Sequence, residues 1–185
     1  MRQLLLLRHA KSSWDDAAAS DHARVLNADG QRAAAAMGQA LRTLHLAPDL
    51  VLVSTARRTL QTLDALEPWD ETPLIEPMDS LYLASAPQLL ATLNRTAETV
   101  RSVMLIGHNP GLHDLALTLA AGMPQSAQQT GGPEAGARLA AGFPTGALAE
   151  FTIPAHWAEL AQGGGRLVRF LSPRDLSDAP PERPR

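Results

Sequence analysis

Two histidines in this chain each follow a short apolar run. His9 comes after Leu4-Leu5-Leu6-Leu7-Arg8, and His108 after Val103-Met104-Leu105-Ile106-Gly107. A neutral imidazole can attack phosphorus through one ring nitrogen if the other donates to a backbone carbonyl, which fixes the tautomer. Arg8, beside His9, offers a planar and permanently charged fork for phosphate oxygens. His108 can donate a hydrogen bond to phosphoryl oxygens and stabilise charge in a transition state. A third segment, Ser54-Thr55-Ala56-Arg57-Arg58-Thr59-Leu60-Gln61-Thr62, sets two arginines in the first turn of an expected helix. Backbone N–H groups there already favour an anion. Only one of Arg57 and Arg58 can face a given pocket, because helix neighbours diverge by about 100°. Singly, each segment has an ordinary explanation: a surface Arg-His turn, two solvated arginines, a histidine satisfied within its turn. Together they describe a phosphate pocket with a histidine nucleophile.

Such a pocket needs strands that end side by side. The apolar runs at Gln3–Leu7, Leu50–Val53 and Val103–Ile106 have the length of buried strands. Groups just beyond them sit where parallel sheets place ligands, at the strands' carboxyl ends. Asn27 caps a long Ala-rich helix expected from about Ala28 to His45. A second helix is expected over Ala56–Leu66, and a third from Pro87, at its first turn, to about Thr99. The fourth spans Gly111–Ala121. Between the second and third helices Leu74-Ile75 reads as a short strand within a proline-containing connection. Gly107 is expected to allow close backbone approach at its strand end. Residues 122–142, rich in Gly, Gln, Ala and Pro, read as a flexible excursion, and 176–185 as a disordered tail. Strands are expected at Ala147–Ile153 and Arg166–Leu171, with a short helix near Trp157 and one of the two strands antiparallel near an edge. The alternation predicts a three-layer α/β/α sandwich with a mostly parallel sheet, in a single domain over residues 1–175.

Composition narrows the class further. The 185 residues are 45% hydrophobic and only 4% aromatic, so the core rests on Leu, Ala and Val. A net charge of −3 advertises no nucleic-acid partner. The apolar run near the N-terminus is too short for a membrane span, which predicts a cytoplasmic protein without a membrane partner. With no cysteine, thiolate chemistry and disulfides are excluded. No carboxylate or third histidine has the spacing to make His9 and His108 metal ligands, and no metal or organic cofactor is expected.

The three segments, in this order, resemble the histidine phosphatase superfamily with its phosphoglycerate-mutase-like fold, and within it the SixA-type phosphohistidine phosphatases. The resemblance rests on Leu7 through Trp14, Val25 through Gly30, Ser54 through Thr62, Leu81-Tyr82-Leu83-Ala84, Gly107 through Leu112 and Phe143 through Ala149. It covers most of residues 1–175 outside 122–142. It implies that His9 is phosphorylated during turnover and that His108 is the second pocket histidine. It also implies that Arg8 and Arg58 bind the phosphoryl group, since the family's arginine lies four residues after the serine, at Arg58 here. Arg24 and Asn109 join them as expected substrate-binding residues. The wider superfamily has glycine where this chain has Ala10. Larger members carry a carboxylate general acid near residues 79–82, where Asp79 aligns poorly.

The implied function is hydrolysis of phosphohistidine on a protein through a covalent phosphohistidine on the enzyme. A small-metabolite phosphomonoesterase and a non-catalytic phosphoprotein-binding module of the same fold stand as alternatives, so the partner is a phosphorylated protein or a small phosphate compound. Absence of a clear acid favours a labile P–N bond over an alkyl ester, whose leaving group needs a proton. Asp21 and Arg24 suit a surface ion pair as well as a pocket border, with Arg24 the better functional candidate. Lys11 reads as solvated and His113 as structural. His22, His45 and His156 have no assignable partner. Trp14 and Trp157 read as packing or loop anchors.

Overall fold

A computed structural model describes residues 1–17, 20–122 and 132–177. Its centre is strand β1 (Arg2–Arg8), whose leucines alternate between two cores. Leu4 and Leu6 face one core and Leu5 and Leu7 the other, all fully buried. A strand buried on both faces reads as a continuous apolar run, which is why Leu4–Leu7 carries no polar alternation.

β2 (Leu50–Ser54), β3 (Leu74–Met78), β4 (Ser102–Gly107), β5 (Leu148–Ile153) and β6 (Arg166–Leu171) complete a six-stranded sheet in the order β3-β2-β4-β1-β5-β6. β1 runs parallel to β4 with Arg8 opposite Gly107, and β4 parallel to β2 with Val53 opposite Ile106. The residues following these three strands therefore emerge together. β5 is antiparallel to both β1 and β6. The larger core lies under α3 (Ala86–Asn94), α4 (Gly111–Ala120) and α5 (Gly132–Ala141). The other lies under α1 (Ala28–Thr43) and α2 (Arg57–Ala65), with α6 (Pro173–Ser177) against its margin. This is an α/β/α sandwich with a mostly parallel sheet.

Several boundaries differ from expectation. α1 stops at Thr43 because His45 adopts a left-handed φ of 54°. α3 ends at Asn94, not near Thr99, where the Asn94 amide turns to donate to the carbonyls of Trp157 and Leu160. β3 extends to Met78 through Pro77, since an exposed edge strand tolerates a residue without an N–H. Within 122–142, residues 132–141 are helix α5, not an excursion. Ala135 and Leu139 are buried in the larger core, an apolar spacing that the surrounding glycines obscure. Residues 123–131 lie outside the described residues. Leu176 packs against the second core within α6, so 176–177 are helix and not tail; residues 178–185 lie outside the described residues.

Gly107 is not the tightest glycine. A Cβ there would sit 3.4 Å from Leu105 Cδ2, an ordinary contact. At Gly111 a Cβ would fall 1.8 Å from the Ala84 carbonyl oxygen, and at Gly30 2.0 Å from that of Lys11. These two glycines let the N-terminal turns of α4 and α1 approach neighbouring backbone.

Candidate active site

His9 follows β1 directly. Its backbone N–H donates to the Gly107 carbonyl at 3.2 Å, and its carbonyl accepts from Gly146 N–H at 3.0 Å. Ala10 N–H donates to Thr62 Oγ1 at 3.0 Å, which ties the loop to α2. The His9 ring is 5.3 Å from that of His108, centroid to centroid. The Arg58 guanidinium spans both: Nε is 3.3 Å from His9 Nε2, and Nη2 is 3.3 Å from His108 Nδ1. All three side chains are buried, whereas Arg57 is exposed.

Donor chemistry fixes both tautomers. Arginine only donates, so each ring nitrogen facing Arg58 carries a lone pair. His9 Nδ1 therefore holds the proton and donates to the Ala10 carbonyl at 2.7 Å. His108 Nε2 holds the other and donates to Ser54 Oγ at 2.8 Å. Burial, with Arg58 and Arg8 nearby, lowers the His9 pKa to about 4 despite the opposing bond to Ala10. Burial and then Arg58 lower that of His108 to about 3. Both rings are neutral at pH 7. His9 Nε2 therefore presents its lone pair beside the Arg58 cation.

The outer end of Arg58 is anchored by Asp21. Its Nη1 donates to the Asp21 carbonyl at 2.7 Å and its Nη2 to the carboxylate at 3.2 Å. The same carboxylate accepts from Arg24 Nη1 at 2.9 Å and from the Tyr82 hydroxyl. Led by the Tyr82 bond, these donors bring the Asp21 pKa down to about 2. Asp21 thus joins the pocket and is not merely a surface partner of Arg24. Nothing in the sequence marks Tyr82 for this contact, which spans 61 positions. Its ring also stands edge-on to His108 at 5.5 Å and to His22 at 4.8 Å.

The other expected residues are arranged around this centre. Arg24 spends Nε on the Ser13 carbonyl and Nη2 on the Ser12 hydroxyl, so every guanidinium nitrogen has a protein partner. Its charge still reaches His9, where it helps to lower the pKa. Trp14 is 74% exposed with Arg24 stacked 3.2 Å from its ring centre, so it is not a packed anchor. Trp157 is wholly buried and donates to the Val100 carbonyl. Arg8 Nη1 and Asn109 Nδ2 both donate to the Phe143 carbonyl, at 3.0 and 2.9 Å. The Asn109 donor is therefore committed to the scaffold, while the buried Arg8 Nε has no partner. Asp79 accepts from the Thr55 hydroxyl at 2.5 Å, and that hydroxyl lies 3.2 Å from His22 Nε2. His113 bonds the Leu139 carbonyl, a structural tie between α4 and α5. His156 meets Arg2 and Glu98 at the opposite end of the sheet. Among the described residues no three metal-ligating side chains converge, and no helix is long and apolar enough to cross a membrane.

A pair of neutral imidazoles bridged by an arginine, at the carboxyl ends of adjacent parallel strands, defines a phosphoryl-transfer type of site. Comparison with known proteins agrees. Residues 4–78 match the model of the histidine phosphatase superfamily (branch 1). An uncharacterized protein of Mycobacterium tuberculosis is 34% identical over 173 residues, 91% of this chain and all of its own. A structure from Nakamurella multipartitia, assigned as a phosphohistidine phosphatase SixA, superposes with a TM-score of 0.77 at 32% identity, covering 93% of this chain and 96% of its own. The protein histidine phosphatase SixA complexed with tungstate gives 0.73 at 26% identity, covering 94% and 99%. This chain belongs to the histidine phosphatase superfamily, and its similarity is to the SixA type.

Proposed function

We propose that this phosphatase hydrolyses phosphohistidine on a protein, without a metal, through a phosphohistidine on its own His9. The observation that carries the reading is the placement of Arg58 between His9 Nε2 and His108 Nδ1, 3.3 Å from each. A phosphoryl group entering there takes over the donors of the Arg58 edge and meets the His9 lone pair. In the first step a bond forms between His9 Nε2 and phosphorus while the substrate's P–N bond breaks, and the departing imidazole takes a proton from water. In the second, water attacks phosphorus, His9 leaves, and inorganic phosphate is released. Arg58 and Arg8 neutralise the equatorial oxygens through both steps.

The carboxylates support the choice of leaving group. An alkoxide needs protonation, worth about 10²–10⁴-fold. Asp21 is ionised and has no proton to give. A phosphorylated imidazole departs without a strong enzyme acid. The similarity to proteins named as phosphohistidine phosphatases points the same way.

The test is phosphate release from a phosphohistidine peptide and from a panel of phosphate monoesters, in EDTA, with His9→Ala as control. The expected result is preferential release from the peptide, lost in the variant. Activity confined to a small ester would overturn the substrate and direct attention to Asp79. Binding without turnover on either would leave a phosphoprotein-binding module.

A further inference from the structure

We propose that Ser54 is a positioning residue whose hydroxyl reverses its hydrogen bond to His108 when a phosphoryl group binds, turning the pocket-facing Nδ1 from acceptor into donor. The inference rests on the site being a phosphoryl pocket, as proposed above.

The polar groups of the site pair with one another. Arg58 Nη2–H fills the His108 Nδ1 lone pair, so the ring proton is on Nε2 and points at Ser54 Oγ, 2.8 Å away. In this state His108 offers a phosphoryl oxygen only a lone pair, and two acceptors repel. A phosphoryl group drawing Arg58 Nη2 onto its own oxygen leaves Nδ1 facing an anion. The favourable neutral ring then has its proton on Nδ1, and Nε2 must accept.

Ser54 can meet both demands because a hydroxyl is donor and acceptor at once. Its side chain is wholly buried and its oxygen also accepts from Ala56 N–H at 3.3 Å, so the oxygen stays in place while its proton turns. The strand end is fixed as well: Ser54 pairs opposite Met78, and its carbonyl accepts from Thr59 Oγ1 at 2.7 Å. The proton balance is simple. Nε2 gives up one proton to solvent, Nδ1 gains one from solvent, and His108 remains neutral throughout. An alanine has no proton to turn, and it leaves Nε2 unpaired in either tautomer.

The test is the tautomer of His108 by two-bond ¹H–¹⁵N NMR of the whole protein, without ligand and with tungstate, a tetrahedral dianion that carries no proton at neutral pH. Without ligand the proton is on Nε2. With saturating tungstate the expected signal is neutral His108 with its proton on Nδ1, in the wild type and in Ser54→Thr. Ser54→Ala, which leaves Nε2 unpaired in either tautomer and the ring unheld, should bind tungstate at least tenfold more weakly and lose at least tenfold in kcat, with both restored in Ser54→Thr. A ring that stays Nε2-protonated, or becomes imidazolium, while His9 signals report bound tungstate would overturn the role of Ser54 and leave the phosphatase reading intact. Absence of tungstate binding would remove the phosphoryl pocket, and the Ser54 proposal with it. The wild-type measurement decides the question even if a variant does not fold.

Discussion

Two buried histidines beside arginines are kept neutral at a cost that appears in acid. In the unfolded chain each takes a proton near its ordinary pKa of about 6.5. In the folded protein burial, then the arginine charges, delay this to about 4 for His9 and about 3 for His108. Between these limits the unfolded state binds more protons, so folding stability falls as pH drops below about 6.5, by up to about 1.4 kcal/mol per pH unit for each histidine. Above that pH neither contributes a slope. Denaturant unfolding of the wild type and His108→Gln between pH 7 and 4.5 should give a shallower acid slope in the variant. Equal slopes would mean that His108 protonates in the folded state. The same shift bears on the proposed reaction: His9 stays unprotonated well below pH 6, so the acid limb of kcat/KM from this group should lie near pH 4. At Arg58 the expectation is a loss of about 10²–10³ in kcat/KM on substitution by methionine, the scale of one transition-state donor. Little loss in a phosphohistidine assay would remove Arg58 from the phosphoryl site. The residue pattern made His9, Arg8 and His108 legible because each lies at or just beyond the end of a strand; it left Arg57 and Arg58 open, and the family resemblance chose Arg58. Tyr82 and the pocket role of Asp21 were not legible, because their contacts join remote segments through side chains alone.

At the scale of elements, function depends on three strands ending in register and on helices that start close to them. The Arg8–Gly107 pairing brings the histidines together, and α4 holds the second one, with Leu112 N–H on the His108 carbonyl at 2.9 Å. Gly111 lets this helix start against the Ala84 carbonyl. Gly111→Ala must push the two backbones apart, at a cost of about 1–3 kcal/mol, and displace His108 with them. Gly107→Ala meets only ordinary contacts, so it should keep stability within about 1 kcal/mol. Chemical denaturation and kcat/KM of the pair check this ordering, and a Gly107→Ala variant as impaired as Gly111→Ala would refute it. The sequence shows both glycines equally well and cannot rank them, because the rank depends on Ala84, in the connection before α3. The strands read well for the opposite reason: their apolar runs are local. β3 is harder to read because Pro77 and its exposed side chains lack that signal, and α3 because its end is set by Asn94 reaching Trp157 and Leu160.

Across the whole molecule, the sheet divides the interior into two cores, and the phosphoryl site draws on the larger one through α5. That helix, hidden in a glycine-rich stretch, buries Ala135 and Leu139 and ends just before Phe143. The Phe143 ring packs edge-on against Phe170 at 5.3 Å, and its carbonyl receives both Arg8 and Asn109. The site's first arginine is thus held by backbone that the core positions from behind. Leu139→Ala should cost about 2–5 kcal/mol, as for a buried leucine whose cavity cannot fully close. Because α5 and Phe143 share that core, the loss should also loosen the carbonyl that steadies Arg8. Weaker binding of phosphate or tungstate should follow, with a lowered kcat/KM under conditions where the variant is folded. A variant that loses stability but keeps its tungstate affinity would mean that Phe143 is held by Phe170 and the following turn alone, and that the phosphoryl site is insulated from the α5 side of the core.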